Sequence, residues 1–121
     1  MANILVLDDI SDAGVLVKRI LERKGHTVAN FTEEEDALKH AAGNPLDLVI
    51  LDIKLKKMTG VEALEEFKKI NPDVKAIMLT GYPTLETARE SLRLGAKEYC
   101  VKPINKEELE TKVEEVLGAD G

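Results

Sequence analysis

The sequence predicts an α/β domain in which five parallel strands form one sheet and helices cover both of its faces. Short apolar runs alternate along the chain with segments of helical periodicity, and the connections between them are short. The clearest run, Leu48 to Leu51, lies between Asp47 and Asp52 and is typical of a strand buried on both faces. Strict alternation of strands and helices indicates right-handed βαβ units and hence a parallel sheet.

The strands and helices can be placed in chain order. Strands are expected at residues 3–7, 27–30, 48–51, 74–79 and 97–101. Helices are expected at residues 12–24 and 33–42, between 59 and 71, at 85–94, and after 105. Residue types that cap helix N-termini occur at Ser11, at Thr32 with Glu35, at Thr59 with Glu62, and at Asn105.

Helical spacing predicts which side chains pack on the sheet. In the first helix these are Ala13, Leu16, Val17, Ile20 and Leu21. In the fourth helix they are Leu85, Ala88 and Leu92. No internal repeat and no domain boundary is found, so residues 1–121 are expected to form one domain, with 118–121 as a flexible tail or the start of a linker.

Composition and charge narrow the classes of function. The chain has 121 residues, of which 44% are hydrophobic and 33% charged, as in an ordinary globular protein. A formal net charge of −6 and an aromatic content of 3% argue against direct binding of nucleic acid, and the charge argues against binding to anionic membranes. No apolar run reaches membrane-spanning length, no signal peptide is expected, and the single Cys100 cannot form an internal disulfide; these features predict a cytoplasmic protein.

Polar residues follow four of the five predicted strands. Asp8 and Asp9 follow the first strand, Asp52 the third, Thr80 the fourth and Lys102 the fifth. In a flavodoxin-like (βα)5 sheet of order 2-1-3-4-5 these four strands are neighbours, and their carboxyl ends form the edge where open α/β sheets bind ligands. We therefore expect the five side chains to lie together.

This combination of side chains suits the transfer of a phosphoryl group to Asp52. Adjacent carboxylates repel one another, and a hard divalent cation such as Mg²⁺ removes that conflict. The ionised carboxylate can then attack phosphorus. Lys102 supplies a second positive charge, and the Thr80 hydroxyl can donate a hydrogen bond to a phosphoryl oxygen.

Single residues of this set also have ordinary structural interpretations. Asp8 and Asp9 alone suit a helix cap, because acids favour helix N-termini. Their placement beside Asp52 favours a metal site instead. His26 and His40 are expected to be ordinary surface groups, with His26 on the edge of the sheet opposite Asp52.

The residues at this edge resemble those of the receiver domain of two-component response regulators, the family with the fold of the chemotaxis regulator. The likeness covers almost the whole chain, and it rests on Asp8-Asp9, on Asp52 in VILDIKL, on Thr80 in MLTGY and on Lys102-Pro103 in GAKEYCVKP. The segment TGYPTLETARESLRLGAKEY is most similar to receivers of the nitrogen-regulation type. Those receivers precede an ATPase module and a DNA-binding module, so the chain is either stand-alone or the N-terminal receiver of a transcription regulator.

The resemblance implies a metal site and a phosphate donor. Asp9, Asp52 and the backbone carbonyl of Lys54 are expected to bind Mg²⁺ or Mn²⁺, with Asp8 acting mostly through water. The donor to Asp52 is expected to be a histidine kinase or a histidine phosphotransfer protein. By the same resemblance the bond between Lys102 and proline is expected to be cis.

The resemblance also implies a conformational switch. Tyr99 matches the aromatic residue that turns inward when Thr80 moves toward the phosphoryl group. The expected output face runs from the fourth helix to the last, over residues 85–117, and carries Arg89, Arg93 and Lys97. Its expected partners are a downstream effector or the protein's own output domain, and it is a candidate homodimer interface.

The loop after the proposed acceptor departs from the family pattern. Lys56 occupies the position where receivers usually carry a proline, so the conformation of this loop is not predicted. Lys54 and Tyr82 flank Asp52, and side chains of this size are expected to hinder the hydrolytic water. The sequence therefore predicts slow self-dephosphorylation.

Three other functions compete with a phospho-accepting switch. A phosphohydrolase with an aspartate nucleophile needs a second acid at the position of Lys54. A flavodoxin-like cofactor carrier needs a phosphate-binding loop where Asp8 and Asp9 lie. A receiver used only for binding would not need the complete set of acids, Thr80 and Lys102. We therefore expect the chain to be a receiver that catalyses only its own phosphorylation and dephosphorylation, and not an enzyme that acts on other substrates.

Overall fold

Five strands and five helices alternate along residues 1–118, the part of the chain that the computed structural model describes. Their bounds are β1 (Asn3–Leu7), α1 (Ser11–Glu22), β2 (Thr27–Phe31), α2 (Glu34–Gly43), β3 (Leu48–Leu51), α3 (Gly60–Ile70), β4 (Lys75–Thr80), α4 (Leu85–Arg93), β5 (Glu98–Val101) and α5 (Lys106–Gly118). The strands pair in parallel in the order β2-β1-β3-β4-β5. The predicted fold class and strand order are confirmed. Of the predicted tail, residue 118 ends α5 and residues 119–121 lie outside the described part.

Side chains of the central strands pack alternately into two separate hydrophobic cores, one on each face of the sheet. On one face, Ile4 and Val6 of β1 pack with residues of α1 and α5. On the other, Leu5 and Leu7 pack with residues of α2 and α3. All four residues of β3 are buried, as their apolar run predicts. Within residues 1–118 no helix combines the length and the apolar character needed to cross a bilayer.

The predicted helix caps are correct at α3 and α5 and wrong at α1. At α3 the Glu62 amide donates to Thr59 Oγ1 at 3.1 Å, and the Thr59 amide donates to Glu62 Oε1 at 2.9 Å. At α5 the Glu108 amide donates to Asn105 Oδ1 at 2.7 Å. Ser11 is not a cap, because α1 already begins at this residue.

The predicted capping box of Thr32 with Glu35 is also wrong. The N-cap of α2 is Glu33, and its side chain makes no capping hydrogen bond. Glu34, the first residue of α2, is buried, whereas Glu35 is exposed. One acid of the first turn of α2 is therefore buried. The sequence has four consecutive acids at residues 33–36 and does not indicate which of them is buried.

The inward faces of two helices differ from prediction. Leu16 of α1 is 55% exposed, and in α4 Leu85 and Leu92 are 67% and 57% exposed. The buried residue of α4 is Ser91, whose hydroxyl donates to the Thr87 carbonyl at 2.7 Å. In α4, hydrophobic spacing fails because the small Ser91, whose hydroxyl is hydrogen-bonded within the helix, takes the buried position while both leucines stay exposed. In α1 the buried residues are Gly14, Val17 and Leu21.

Candidate functional site

Four strand ends bring the predicted site residues to one edge of the sheet. Asp8 and Asp9 follow β1, Asp52 follows β3, Thr80 ends β4 and Lys102 follows β5. These four strands are consecutive in the sheet and run in parallel, so their carboxyl ends are neighbours. The Lys102 amide also donates to the Thr80 carbonyl at 2.7 Å, which ties the ends of β4 and β5 together.

Three of these residues form an acidic cluster. One carboxylate oxygen each from Asp8, Asp9 and Asp52 lies within 4.8 Å of the other two. Asp8 and Asp52 are each 5% exposed, and Asp9 is half-buried. Hard oxygen donors at this spacing are the ligands that Mg²⁺ and similar divalent cations prefer. The donor set therefore fits a divalent cation.

Lys102 bridges two carboxylates of the cluster. Its Nζ lies 2.7 Å from Asp8 Oδ2 and 3.1 Å from Asp52 Oδ2. The peptide bond between Lys102 and Pro103 is cis, as expected. The ammonium offsets part of the repulsion between the two acids, so the site holds one strong cation of its own.

The buried charges perturb one another. Burial raises the pKa of Asp52 above its usual value, and the hydrogen bond from Lys102 opposes this rise without cancelling it, while the charge of Asp8 adds to it. Burial acts to lower the pKa of Lys102, but hydrogen bonds to Asp8 and Asp52 outweigh burial and raise that pKa. The lysine therefore stays charged at neutral pH.

The two residues of the expected switch have separate hydrogen-bond partners. Thr80 is fully buried, and its Oγ1 accepts a hydrogen bond from the Tyr82 amide at 3.0 Å. Tyr99 is half-buried, and its hydroxyl lies 2.7 Å from Thr87 Oγ1 and accepts from the Thr84 amide at 3.4 Å. Tyr99 is thus anchored to the start of α4. Thr87 gave no functional signal in the sequence.

An open cavity of about 440 Å³ leads to the acidic cluster. Its lining consists of Asp9, Ile10, Asp52, Lys54, Gly81, Tyr82 and Lys102. Lys54 Nζ lies 4.3 Å from the centroid of the Tyr82 ring, a cation–π contact. The two residues predicted to flank Asp52 therefore meet each other at the rim of its cavity.

Gly60 shapes the loop of residues 52–59 that joins β3 to α3, here called the β3–α3 loop. Its amide donates to the Ile53 carbonyl at 2.6 Å, and Lys54 forms an isolated antiparallel bridge with Thr59. A Cβ atom at Gly60 would lie 2.1 Å from the backbone oxygen of Asp52. Only glycine fits this approach, and sequence reasoning missed it because a glycine after a helix cap has no distinctive pattern.

Glu34 of α2 also contacts the β3–α3 loop. It is 1% exposed, and its Oε2 accepts hydrogen bonds from the amides of Lys57 at 2.5 Å and Met58 at 3.1 Å. Its Oε1 is buried without a hydrogen-bond partner among residues 1–118. On the exposed side of the same contact, Lys56 forms an ion pair with Glu33 at 2.8 Å.

His26 lies on the opposite edge of the sheet, as predicted. It directly precedes β2, so it belongs with the amino ends of the strands. Its Nδ1 accepts a hydrogen bond from the Ala2 amide at 3.3 Å. Burial lowers the pKa of this imidazole below its usual value. The acidic cluster therefore has no contribution from His26.

A family model of the response regulator receiver domain matches residues 4–114. The chain belongs to this family. The matched residues run from β1 into α5 and include the whole acidic cluster and Lys102. The resemblance to receiver domains that the strand-end residues indicated is therefore confirmed.

The curated relatives of this receiver are longer proteins. It is 32% identical over 115 residues to the transcriptional regulatory protein ZraR of Escherichia coli, in a match that covers 95% of this chain and 26% of ZraR. It is also 32% identical over 117 residues to the nitrogen assimilation regulatory protein NtrX of Azorhizobium caulinodans, in a match that covers 95% of this chain and 26% of NtrX. The chain thus spans about a quarter of the length of these relatives. The match to NtrX agrees with the predicted similarity to receivers of the nitrogen-regulation type.

Solved receivers share the fold. The response regulator TrrA of Thermotoga maritima, determined in complex with Mg²⁺ and beryllium fluoride, superposes with a TM-score of 0.85 at 36% sequence identity. The superposition covers 96% of this chain and 99% of TrrA. At this identity the two chains share a family as well as a topology.

Proposed function

We propose that the receiver is a phospho-accepting switch whose acceptor is Asp52. The observation that carries the proposal is the buried carboxylate of Asp52 at the end of β3, between two further acids and the ammonium of Lys102. A histidine kinase or a histidine phosphotransfer protein is the donor. A carboxylate oxygen of Asp52 attacks phosphorus, the phosphorus–nitrogen bond breaks, and its electron pair stays on the donor histidine.

The acidic cluster holds the metal in this proposal. Asp9, Asp52 and the backbone carbonyl of Lys54 bind Mg²⁺ or Mn²⁺, and Asp8 acts through water. A bound divalent cation neutralises carboxylate and phosphoryl oxygens. The 4.8 Å spacing of the carboxylate oxygens supports this assignment, as does the complex of TrrA with Mg²⁺ and beryllium fluoride.

Lys102 and Thr80 complete the site. Lys102 already lies 3.1 Å from Asp52 Oδ2, so a small movement lets its ammonium donate to a phosphoryl oxygen instead. The Thr80 hydroxyl accepts from the Tyr82 amide, which leaves its own proton for a phosphoryl oxygen. Both residues act on the oxygens that gain negative charge during transfer.

The output is a change in the surface formed by α4, β5 and α5, over residues 85–117. Movement of Thr80 toward the phosphoryl group leads Tyr99 to turn and to release its bond to Thr87. Leu85 and Leu92 are exposed on this surface and suit an effector, an output domain or a second copy of the chain. Residues 1–121 act as one receiver domain in the cytoplasm, either alone or at the N-terminus of a transcription regulator.

The chain acts on no external substrate in this proposal and catalyses only its own phosphorylation and dephosphorylation. A phosphohydrolase is less well supported, since Lys54 occupies the position of the second acid. Assays on free phosphoesters separate the two functions. A receiver is expected to give no turnover, while sustained release of phosphate from such esters would favour the hydrolase.

The test is phosphorylation of the full chain by acetyl phosphate, followed by intact-mass measurement. The wild type with Mg²⁺ is expected to gain one phosphoryl group, which a chelator prevents. Asp52→Asn is expected to remain unmodified, whereas Asp73→Asn, an exposed aspartate at the opposite edge, is expected to react like the wild type. Phosphorylation that persists in Asp52→Asn would refute the assignment.

A further inference from the structure

We propose that Glu34 is a positioning residue for the metal site, because it fixes the β3–α3 loop that carries the Lys54 carbonyl. The inference rests on the proposed function, in which that carbonyl binds the divalent cation. Glu34 belongs to α2, and its carboxylate accepts hydrogen bonds from the backbone of the loop rather than from any proposed metal ligand. It acts only through the backbone of the loop.

The first argument is the contact itself. One carboxylate oxygen of Glu34 accepts hydrogen bonds from two consecutive backbone amides, those of Lys57 and Met58. Hydrogen bonds to an ionised carboxylate are stronger than those between neutral groups. Because Glu34 is 1% exposed, water competes little for these amides.

The second argument is that Glu34 restrains the backbone at the turn of the loop, whereas the other contacts of this turn are made by side chains. Leu55 and Met58 pack against the core, and Lys56 pairs with Glu33. The bridge of Lys54 with Thr59 and the bond from Gly60 to Ile53 join its two ends. Lys56 lies between these ends and imposes no restriction on φ of the kind a proline imposes. The carboxylate of Glu34 therefore supplies a restraint at the turn of the loop.

The third argument is the cost of this arrangement. A buried carboxylate loses hydration, and Oε1 of Glu34 has no compensating hydrogen bond among residues 1–118. Its neighbours Glu35 and Asp36 in the same helical turn are exposed and carry no such cost. A residue that served only to charge the helix N-terminus would lie outside, as these two do.

The consequence for the metal follows from the length of the loop. Lys54 lies three residues before Lys57, within the segment closed by the bridge to Thr59. Residues that hold metal ligands in place affect metal affinity without binding the metal, typically by about 10- to 100-fold. Loss of the Glu34 contact should therefore weaken Mg²⁺ binding even though all proposed ligands remain.

The experiment measures Mg²⁺ affinity of the full chain by isothermal titration calorimetry. Glu34→Ala is expected to raise the dissociation constant for Mg²⁺ about tenfold or more. Glu34→Gln keeps an oxygen that can accept both amides, so it should retain most of the affinity. Glu35→Ala removes the same charge from the same helical turn and is expected to bind Mg²⁺ like the wild type.

Two further measurements separate positioning from general destabilisation. Amide hydrogen exchange should show the Lys57 and Met58 amides protected in the wild type and in Glu34→Gln, and unprotected in Glu34→Ala. Phosphorylation by acetyl phosphate in Glu34→Ala should need more Mg²⁺ for half its maximal rate, and should recover close to the wild-type rate at saturating Mg²⁺. Exchange in the wild type is informative even if Glu34→Ala does not fold.

Three results would overturn the proposal. They are unchanged Mg²⁺ affinity in Glu34→Ala, an equal loss in Glu35→Ala, and Lys57 and Met58 amides that exchange in the wild type as fast as unprotected amides. In each case a wild type that binds Mg²⁺ and is phosphorylated leaves the proposed function standing. A wild type that neither binds Mg²⁺ nor accepts a phosphoryl group would refute both.

Discussion

Lys102 and Asp52 lie 50 residues apart in the sequence, yet the lysine Nζ is 3.1 Å from Oδ2 of the aspartate. The same ammonium lies 2.7 Å from Asp8. The proposed acceptor is therefore paired with a cation before any metal or phosphoryl group arrives. Even so, burial keeps the pKa of Asp52 raised, and this has a consequence for stability.

Replacement of Asp52 by asparagine should stabilise the metal-free chain increasingly as the pH rises. The folded chain holds the Asp52 proton more tightly than the unfolded chain, whose pKa is near 3.8. That contribution to stability is present below about pH 3.8 and is lost as the pH rises through the folded-state pKa. Urea unfolding of both proteins in chelator at low and neutral pH measures the effect. A stability difference that does not change with pH would contradict it.

Substitution of Gly60 by alanine should destabilise the fold. Its Cβ would lie 2.1 Å from the backbone oxygen of Asp52, so the end of β3 and the start of α3 must separate. We expect a loss of about 1–3 kcal/mol in the free energy of unfolding, as for other overpacked sites. Gly43→Ala is the matched control, since a Cβ there meets no heavy atom within 4 Å. Equal unfolding midpoints for the two variants would show that the close approach is relieved at no cost.

Truncation of Lys54 or Tyr82 should shorten the life of the phosphorylated state. The two side chains contact each other at the rim of the cavity over Asp52, where we expect them to restrict the approach of the hydrolytic water. Lys54→Ala and Tyr82→Ala should each lose the phosphoryl group several-fold faster than the wild type, followed by intact mass after removal of the phosphodonor. Lys57→Ala, an exposed lysine of the same loop outside the cavity lining, should not. Rapid loss from the wild type with no change in either variant would remove the idea.

The hydrogen bond between Tyr99 and Thr87 should appear as a coupling in a double-mutant cycle. Each of Tyr99→Phe and Thr87→Val removes one side of the 2.7 Å contact, and each should cost about 1 kcal/mol of unfolding free energy. The double variant should cost less than the sum, because both changes delete the same bond. Thr111→Val, on the exposed face of α5, serves as the control. Strictly additive losses would mean that the two hydroxyls do not stabilise each other.

Much of the fold and of the candidate site could be predicted, because the sequence indicates the buried strands and the site residues lie at the ends of those strands. An apolar run such as Leu48 to Leu51 indicates a buried parallel strand, and parallel order then carries Asp52 and Lys102 to the same edge. The buried face of α4 could not be predicted, because its buried residue, Ser91, is polar and satisfies its hydroxyl by a hydrogen bond within the helix. Hydrophobic spacing does not detect such a residue. Glu34 could not be predicted either. Its partners lie 23 and 24 residues away, and only the folded chain distinguishes it from the exposed acids beside it.

The exposed leucines of α4 bear on how easily this helix can move. Leu85 and Leu92 already face solvent, and the buried residue of the helix is Ser91. The contact from α4 to Tyr99 is a hydroxyl pair, whose bonds water can replace when they open. A shift of α4 would therefore uncover little new apolar surface, and the hydrophobic effect would oppose it weakly. The position of α4 therefore depends more on replaceable hydrogen bonds than on buried hydrocarbon, so this helix is the element of the proposed output surface that a change at Thr80 and Tyr99 should displace most easily.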